Sequence, residues 1–167
     1  MYLLLFALTF GILTGAYPQE FAGQVYQIAE DYSVDECVVA PECDCCTSDI
    51  IFLTERRFSM IARCIYSDAY YSGTYQVKDN RLTLAFKQIV VTEMVDEETK
   101  AIKNEPRDIT IEPIIYDVSN CGHDRVWLKY AGKGAADLEN GSRRTQSDEQ
   151  SIIGKLYETE AWKLLLQ

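Results

Sequence analysis

Histidine and positive charge are what this sequence is short of. A single His among 167 residues excludes any site needing two imidazoles, such as a three-His zinc centre. Lys and Arg number 16 against 26 Asp and Glu, for a net charge of −10. Nucleic acid and anionic membrane surfaces repel such a chain, so neither is expected as a partner. Glycine-rich strings such as Gly132-Lys133-Gly134 lack the spacing of a phosphate-binding loop. Internal repeats and low-complexity tracts are missing too. In so acidic a chain no pair of carboxylates among Glu93, Asp96 and Glu97 stands out as a general acid and base. What is present is an apolar share of 47% with 11% aromatics, enough to fill the core of one ordinary domain.

Met1 to Ala16 carries no charged side chain and ends in small residues. That is the pattern of the apolar region and cleavage zone of a signal peptide, with Thr14 and Ala16 at the small positions before the cut. A membrane-spanning helix needs about 20 apolar residues, and Gly11 and Gly15 interrupt this run. The string Leu13-Thr14-Gly15 resembles the start of a lipobox, but Ala16 stands where the lipidated Cys would be. The expectation is an exported protein, secreted or periplasmic, with no membrane span after cleavage. It divides into a signal peptide over 1–16, a lead-in over 17–42 and a barrel domain over 43–167.

Six Cys (37, 43, 45, 46, 64 and 121) in an exported chain read first as disulfides. One bridge follows from strand register. Ser48–Leu53 and Arg57–Tyr66 are β-rich runs joined by Thr54-Glu55-Arg56. A three-residue hairpin loop there pairs Phe52 with Phe58 and Ile50 with Met60, and continues to Cys46 opposite Cys64. Facing positions of this kind lie within disulfide reach, so Cys46–Cys64 is expected. The partners of Cys37, Cys43, Cys45 and Cys121 stay open. The alternative is a soft metal site built from Cys43, Cys45, Cys46 and His123. No cofactor is expected. Cys121 and His123 also have the residue types of a nucleophile and its base. Oxidation would consume the thiol, and no oxyanion site is recognisable, so no catalytic residue and no enzyme are expected.

Further along, Tyr71–Val77 and Arg81–Phe86 alternate about the turn Lys78-Asp79-Asn80, with Tyr75, Val77, Leu82, Leu84 and Phe86 as apolar faces. Met94–Arg107 reads as a solvated, charged hairpin end. Ile109–Val118 is a strand whose Pro113 belongs at an edge or bulge, and Arg125–Tyr130 is another. Gly132–Gln150 reads as a polar loop containing Asn140-Gly141-Ser142, a glycosylation acceptor only in a eukaryotic host. Ser151–Gln167 has helical spacing at Ile153, Leu156, Tyr157, Ala161 and Leu164, with Ser151 as N-cap, and alternation at Trp162, Leu164 and Leu166. The alternation is taken as a closing strand, since a sheet needs its edges covered. Seven or eight short strands joined by hairpins give a mainly β fold: a small antiparallel meander barrel with a disulfide-stapled N-terminal segment.

The runs Cys45-Cys46-Thr-Ser-Asp-Ile-Ile-Phe-Leu, Arg63-Cys64 and Gly73-Thr-Tyr-Gln-Val-Lys-Asp-Asn-Arg-Leu-Thr-Leu-Ala-Phe86 resemble the lipocalin-like small β-barrel proteins exported by bacteria. The likeness covers about residues 43–90. It implies a barrel whose interior or open end takes a small ligand, and it carries over no catalytic residue.

Tyrosine is abundant, and Tyr66, Tyr70, Tyr71 and Tyr75 lie close together, each combining apolar area with a polar tip. They are the candidate ligand-binding residues. The expected function is non-enzymatic binding of a small apolar ligand or an extracellular protein. The alternatives are an acidic inhibitor of a basic enzyme such as lysozyme, steered by the net charge, and an envelope metal-binding protein using the Cys cluster.

Overall fold

A computed structural model describes residues 20–29, 31–33, 36–40, 47–96, 99–121, 125–132 and 140–167. The expected signal segment 1–16, together with Cys43, Cys45, Cys46 and His123, lies outside the described residues. The chain runs β1 (Val25–Ala29), β2 (Asp31–Ser33), β3 (Val38–Ala40), β4 (Thr47–Phe52), β5 (Arg57–Arg63), β6 (Ser67–Lys78) and β7 (Arg81–Met94). It continues through β8 (Lys100–Ile102), β9 (Arg107–Asp108), β10 (Ile114–Asn120), β11 (Val126–Tyr130) and β12 (Asn140–Arg143) to helices α1 (Gln146–Glu158) and α2 (Glu160–Leu165).

Strands β1, β4, β5, β6, β7, β10, β11 and β12 pair in that order, all antiparallel, and β12 pairs back onto β1. The result is a closed eight-stranded meander barrel, as expected from the strand pattern. The hairpin β2–β3 and the short β8 and β9, which flank the far half of β7, are excursions from the wall. Closure removes the unpaired edges that an open sheet would have to hide.

The β4–β5 hairpin has the expected register, with Phe52 opposite Phe58, Ile50 opposite Met60 and Thr47 opposite Arg63. Between β6 and β7, Lys78 pairs with Arg81. Asp79 and Asn80 both take positive φ, 53° and 57°, the two-residue I′ turn whose twist matches the flanking strands.

Alternate residues of the wall strands other than β12 fill the barrel. Tyr26, Ile28, Ile50, Phe52, Phe58, Leu82, Leu84, Tyr116 and Leu128 form one buried cluster. Phe21, just ahead of β1, closes one end by packing on Phe52 at 4.8 Å between ring centroids and on Tyr26 at 5.6 Å. Space is tight enough that a Cβ on Gly73 would fall 2.6 Å from the Phe58 ring. Around these residues the described interior is packed with side chains. Val77, opposite Leu82 near the end of β6, lies on its expected face but is exposed.

The outer face is partly covered too. Val25, Ile51, Ile61, Tyr70 and Val90 point outward and pack against Leu156, Ala161, Trp162 and Leu165 of the two helices. Residues 146–158 and 160–165 are thus helical, correcting the expected closing strand. The barrel closes through β1 and β12, so no edge remained for the tail to cover, while its apolar residues match a helical stripe. Thr145, not Ser151, is the N-cap, accepting from Asp148 N at 3.3 Å, as side-chain oxygens do at exposed helix starts.

Two further corrections concern wall strands. Part of the lead-in is a wall strand, β1, so the barrel begins ahead of residue 43. Part of the expected polar loop is β12, in which Asn140 Oδ1 accepts from Tyr130 N at 3.2 Å. On the opposite outer face, Val39 of β3 packs with Ala29 and Trp127, and its N–H donates to Ser142 Oγ at 3.0 Å. The Cys37–Cys121 disulfide (Cα–Cα 5.8 Å) ties this hairpin to the end of β10.

Candidate functional site

The four tyrosines expected to form one site are dispersed. Tyr66 sits in the β5–β6 turn and is 73% exposed. Tyr70 points outward beneath the helices. Tyr71 and Tyr75 face inward on β6, Tyr71 against Phe86 and Tyr75 against Phe52 and Phe21. The Tyr75 hydroxyl donates to Thr54 O at 2.7 Å. The phenols of Tyr70, Tyr71 and Tyr75 are held above their ordinary pKa by burial, reinforced by Asp68 at Tyr70 and by Glu55 and Glu20 at Tyr75. Packing, rather than a shared ligand, accounts for three of them; period-two spacing along one strand always splits neighbours between two faces.

The sulfurs give a mixed outcome. Cys37 and Cys121, whose partners the sequence left open, are joined. Cys64 is exposed with a free thiol, whereas the register argument joined it to Cys46, which lies outside the described residues. All four residues of the alternative metal site, Cys43, Cys45, Cys46 and His123, lie there as well. Among the described residues no group of three His, Cys, Asp or Glu side chains is placed to hold a metal ion.

A groove of about 560 Å³ lies between α1 and the outer wall. Strands β4, β5 and β6 supply Thr47, Asp49, Ile61, Arg63 and Tyr70; the β12–α1 link supplies Arg144; the helix supplies Asp148, Ser151, Ile152, Lys155 and Leu156. Alternation makes this possible. Ile50 and Phe52 face the barrel interior, so Asp49 and Ile51 face outward, where Ile51 packs beneath the helices.

Asp49 is the floor of the groove. Its side chain is 1% exposed, and it accepts from two guanidinium groups. Arg63 Nη1 binds Oδ2; Arg144 binds Oδ1 through Nε at 3.0 Å and Nη2 at 2.9 Å. A buried carboxylate requires such partners, because leaving it unpaired in a low-dielectric site costs several kcal/mol, on the order of 3–5. Arg63 and Arg144 remain 34% and 25% exposed, and both line the groove.

Beside the groove, Glu149 of α1 fixes the helix to the closing seam of the barrel. Its Oε1 accepts from Val25 N at 3.1 Å and from Arg143 Nε at 2.9 Å, and its Oε2 from Arg143 Nη2 at 3.2 Å. The hydrogen bond to Glu149 holds the Arg143 guanidinium above its ordinary pKa. The helix wall of the groove is therefore pinned at the place where β1 and β12 meet.

Sequence reasoning missed this cluster. Asp49, Arg63, Arg144 and Glu149 are scattered over a hundred residues, and each looks like an isolated surface charge. One signal was available: the unbroken apolar run Ile50-Ile51-Phe52 marks a strand buried on both faces, so something had to lie over the outer face beside Asp49. The chain matches no family model, no curated protein and no solved structure.

Proposed function

We propose that this chain is an exported, non-enzymatic binding protein that takes a small, largely apolar ligand in the groove between α1 and the barrel wall, not inside the barrel. The observation that carries this reading is the contrast between the two spaces. The barrel interior is occupied by side chains, whereas the outer groove offers about 560 Å³ bordered by Ile61, Tyr70, Ile152 and Leu156. A volume of that order suits a small-molecule site, for which about 300–1,000 Å³ is usual. Export is supported by the Cys37–Cys121 disulfide, since such bonds persist in oxidising compartments. Among the described residues no helix is long and apolar enough to cross a membrane.

The test is equilibrium binding of medium-chain alkyl amphiphiles to the wild type and to Ser151→Trp, which places an indole in the groove from the helix side. One-to-one binding that is lost in the variant supports the reading. Binding that survives the filled groove, or no binding by the wild type, overturns it.

A second reading, recognition of a basic protein such as lysozyme, is favoured by the net charge of −10. Long-range attraction of that kind is screened by salt, so affinity should fall steeply between low and high ionic strength. Unchanged affinity would rule it out.

A further inference from the structure

Building on the groove as a ligand site, we infer that its ligand carries an anionic head, of carboxylate type, held by Arg63 and Arg144, with an apolar tail lying along Ile152 and Tyr70. Two guanidinium groups converge on one carboxylate, Asp49, which carries charge enough for only one of them. Lys155 adds a third cation to the lining and Asp148 a second carboxylate. Three cationic side chains against two carboxylates leave a surplus of one positive charge in a chain whose net charge is −10.

Asp148 is moreover engaged at the helix N-terminus, accepting from Thr145 Oγ1 at 2.7 Å. The donor count points the same way. Arg63 spends Nη1, and Arg144 spends Nε and Nη2, on Asp49. Among the described residues Arg63 Nε and Nη2 and Arg144 Nη1 have no protein acceptor. A guanidinium presents five N–H donors in a fixed fork that matches a carboxylate. Asp49 thus acts as a positioning residue, holding both guanidinium groups at the groove lining with donors to spare. Ile61, Tyr70, Ile152 and Leu156 give the groove an apolar side, and a charge interaction is stronger beside low-dielectric surface.

The experiment compares decanoate with decanol, its neutral counterpart, by titration calorimetry against the wild type, Arg63→Gln and Lys155→Gln. The expected result is one decanoate per chain, bound at least tenfold more tightly than decanol. Arg63→Gln should bring decanoate down to the decanol level while leaving decanol unchanged, which shows that the groove persists in the variant. Should Arg63→Gln fail to fold, Lys155→Gln at the helix surface should still weaken decanoate severalfold and leave decanol unaffected. Equal binding of decanol and decanoate by the wild type would overturn the anionic head while leaving the groove itself in place. Absence of both would overturn the groove and the head together.

Discussion

Glu149 of α1 and Arg143 of β12 form a two-pronged ion pair, 2.9 and 3.2 Å, in which the carboxylate is 5% exposed and also accepts from the backbone of β1. One side chain thereby holds a helix and both closing strands. Removing it leaves Val25 N and a partly buried guanidinium without their acceptor. Because Arg143 stays two-fifths exposed, the cost should lie at the lower end for a broken buried pair, about 2–3 kcal/mol. Glu149→Ala should lower the urea midpoint accordingly without changing the slope. Glu149→Gln, which keeps an acceptor oxygen, should lose less. A Glu149→Ala variant as stable as the wild type would show that the seam does not depend on this contact.

Alkaline titration should report the packed interior. Tyr26 is fully buried, and desolvation raises its phenol pKa well above the ordinary 10, with Arg143 opposing and Glu149 reinforcing the shift. Tyr70, Tyr71 and Tyr75 shift the same way through burial. A group whose folded pKa is raised contributes stability that is complete below its unfolded pKa, near 10, and is lost as pH climbs toward the folded value. Stability should therefore fall above about pH 10. Absorbance at 295 nm should show several tyrosines ionising only in step with loss of far-UV dichroism. Smooth ionisation of all 11 tyrosines near pH 10 with the fold intact would contradict a filled barrel.

The Cys37–Cys121 bridge closes a loop of sequence separation 84, and long loops gain most from cross-linking. Replacing both with Ser should cost about 2–4 kcal/mol. For a chain of this size that corresponds to about 4–16 °C in Tm. Scanning calorimetry of the double variant, compared with reduced wild type, measures it; matching midpoints for oxidised and doubly substituted protein would deny the bridge a structural role.

Gly73 is a further point of tight packing. A Cβ there meets both the Phe58 ring and the Ala85 carbonyl, and backbone cannot move aside cheaply. Gly73→Ala should cost about 1–3 kcal/mol through overpacking, read as a lowered thermal midpoint. A stability gain, as expected of an unconstrained glycine in a strand, would mean the interior has slack.

The parts legible in sequence were those where one face was buried and the turn chemistry was local. The register of β4 against β5 followed from a three-residue connection, and Asp79-Asn80 marked the next hairpin. Strand β12 was not legible because the interior leaves its inward position no room for a side chain: a Cβ on Gly141 would lie 2.6 Å from Ile28 Cδ1. Asn-Gly-Ser-Arg therefore carries no apolar signal at all. The tail was ambiguous because Trp162 and Leu164 alternate. The burial of Leu156, Ala161, Trp162 and Leu165 follows the helical period, which only the wall beneath them could decide. The groove depends on both of these elements, so its charges could not be brought together from sequence.

The most direct test of where this protein binds is methyl NMR during a decanoate titration. Resonances of Ile61, Ile152 and Leu156 on the groove should shift saturably, while Leu82, Leu84 and Leu128 inside the barrel stay in place. Movement of the interior methyls with the groove set unmoved would put the ligand in the barrel and contradict the account.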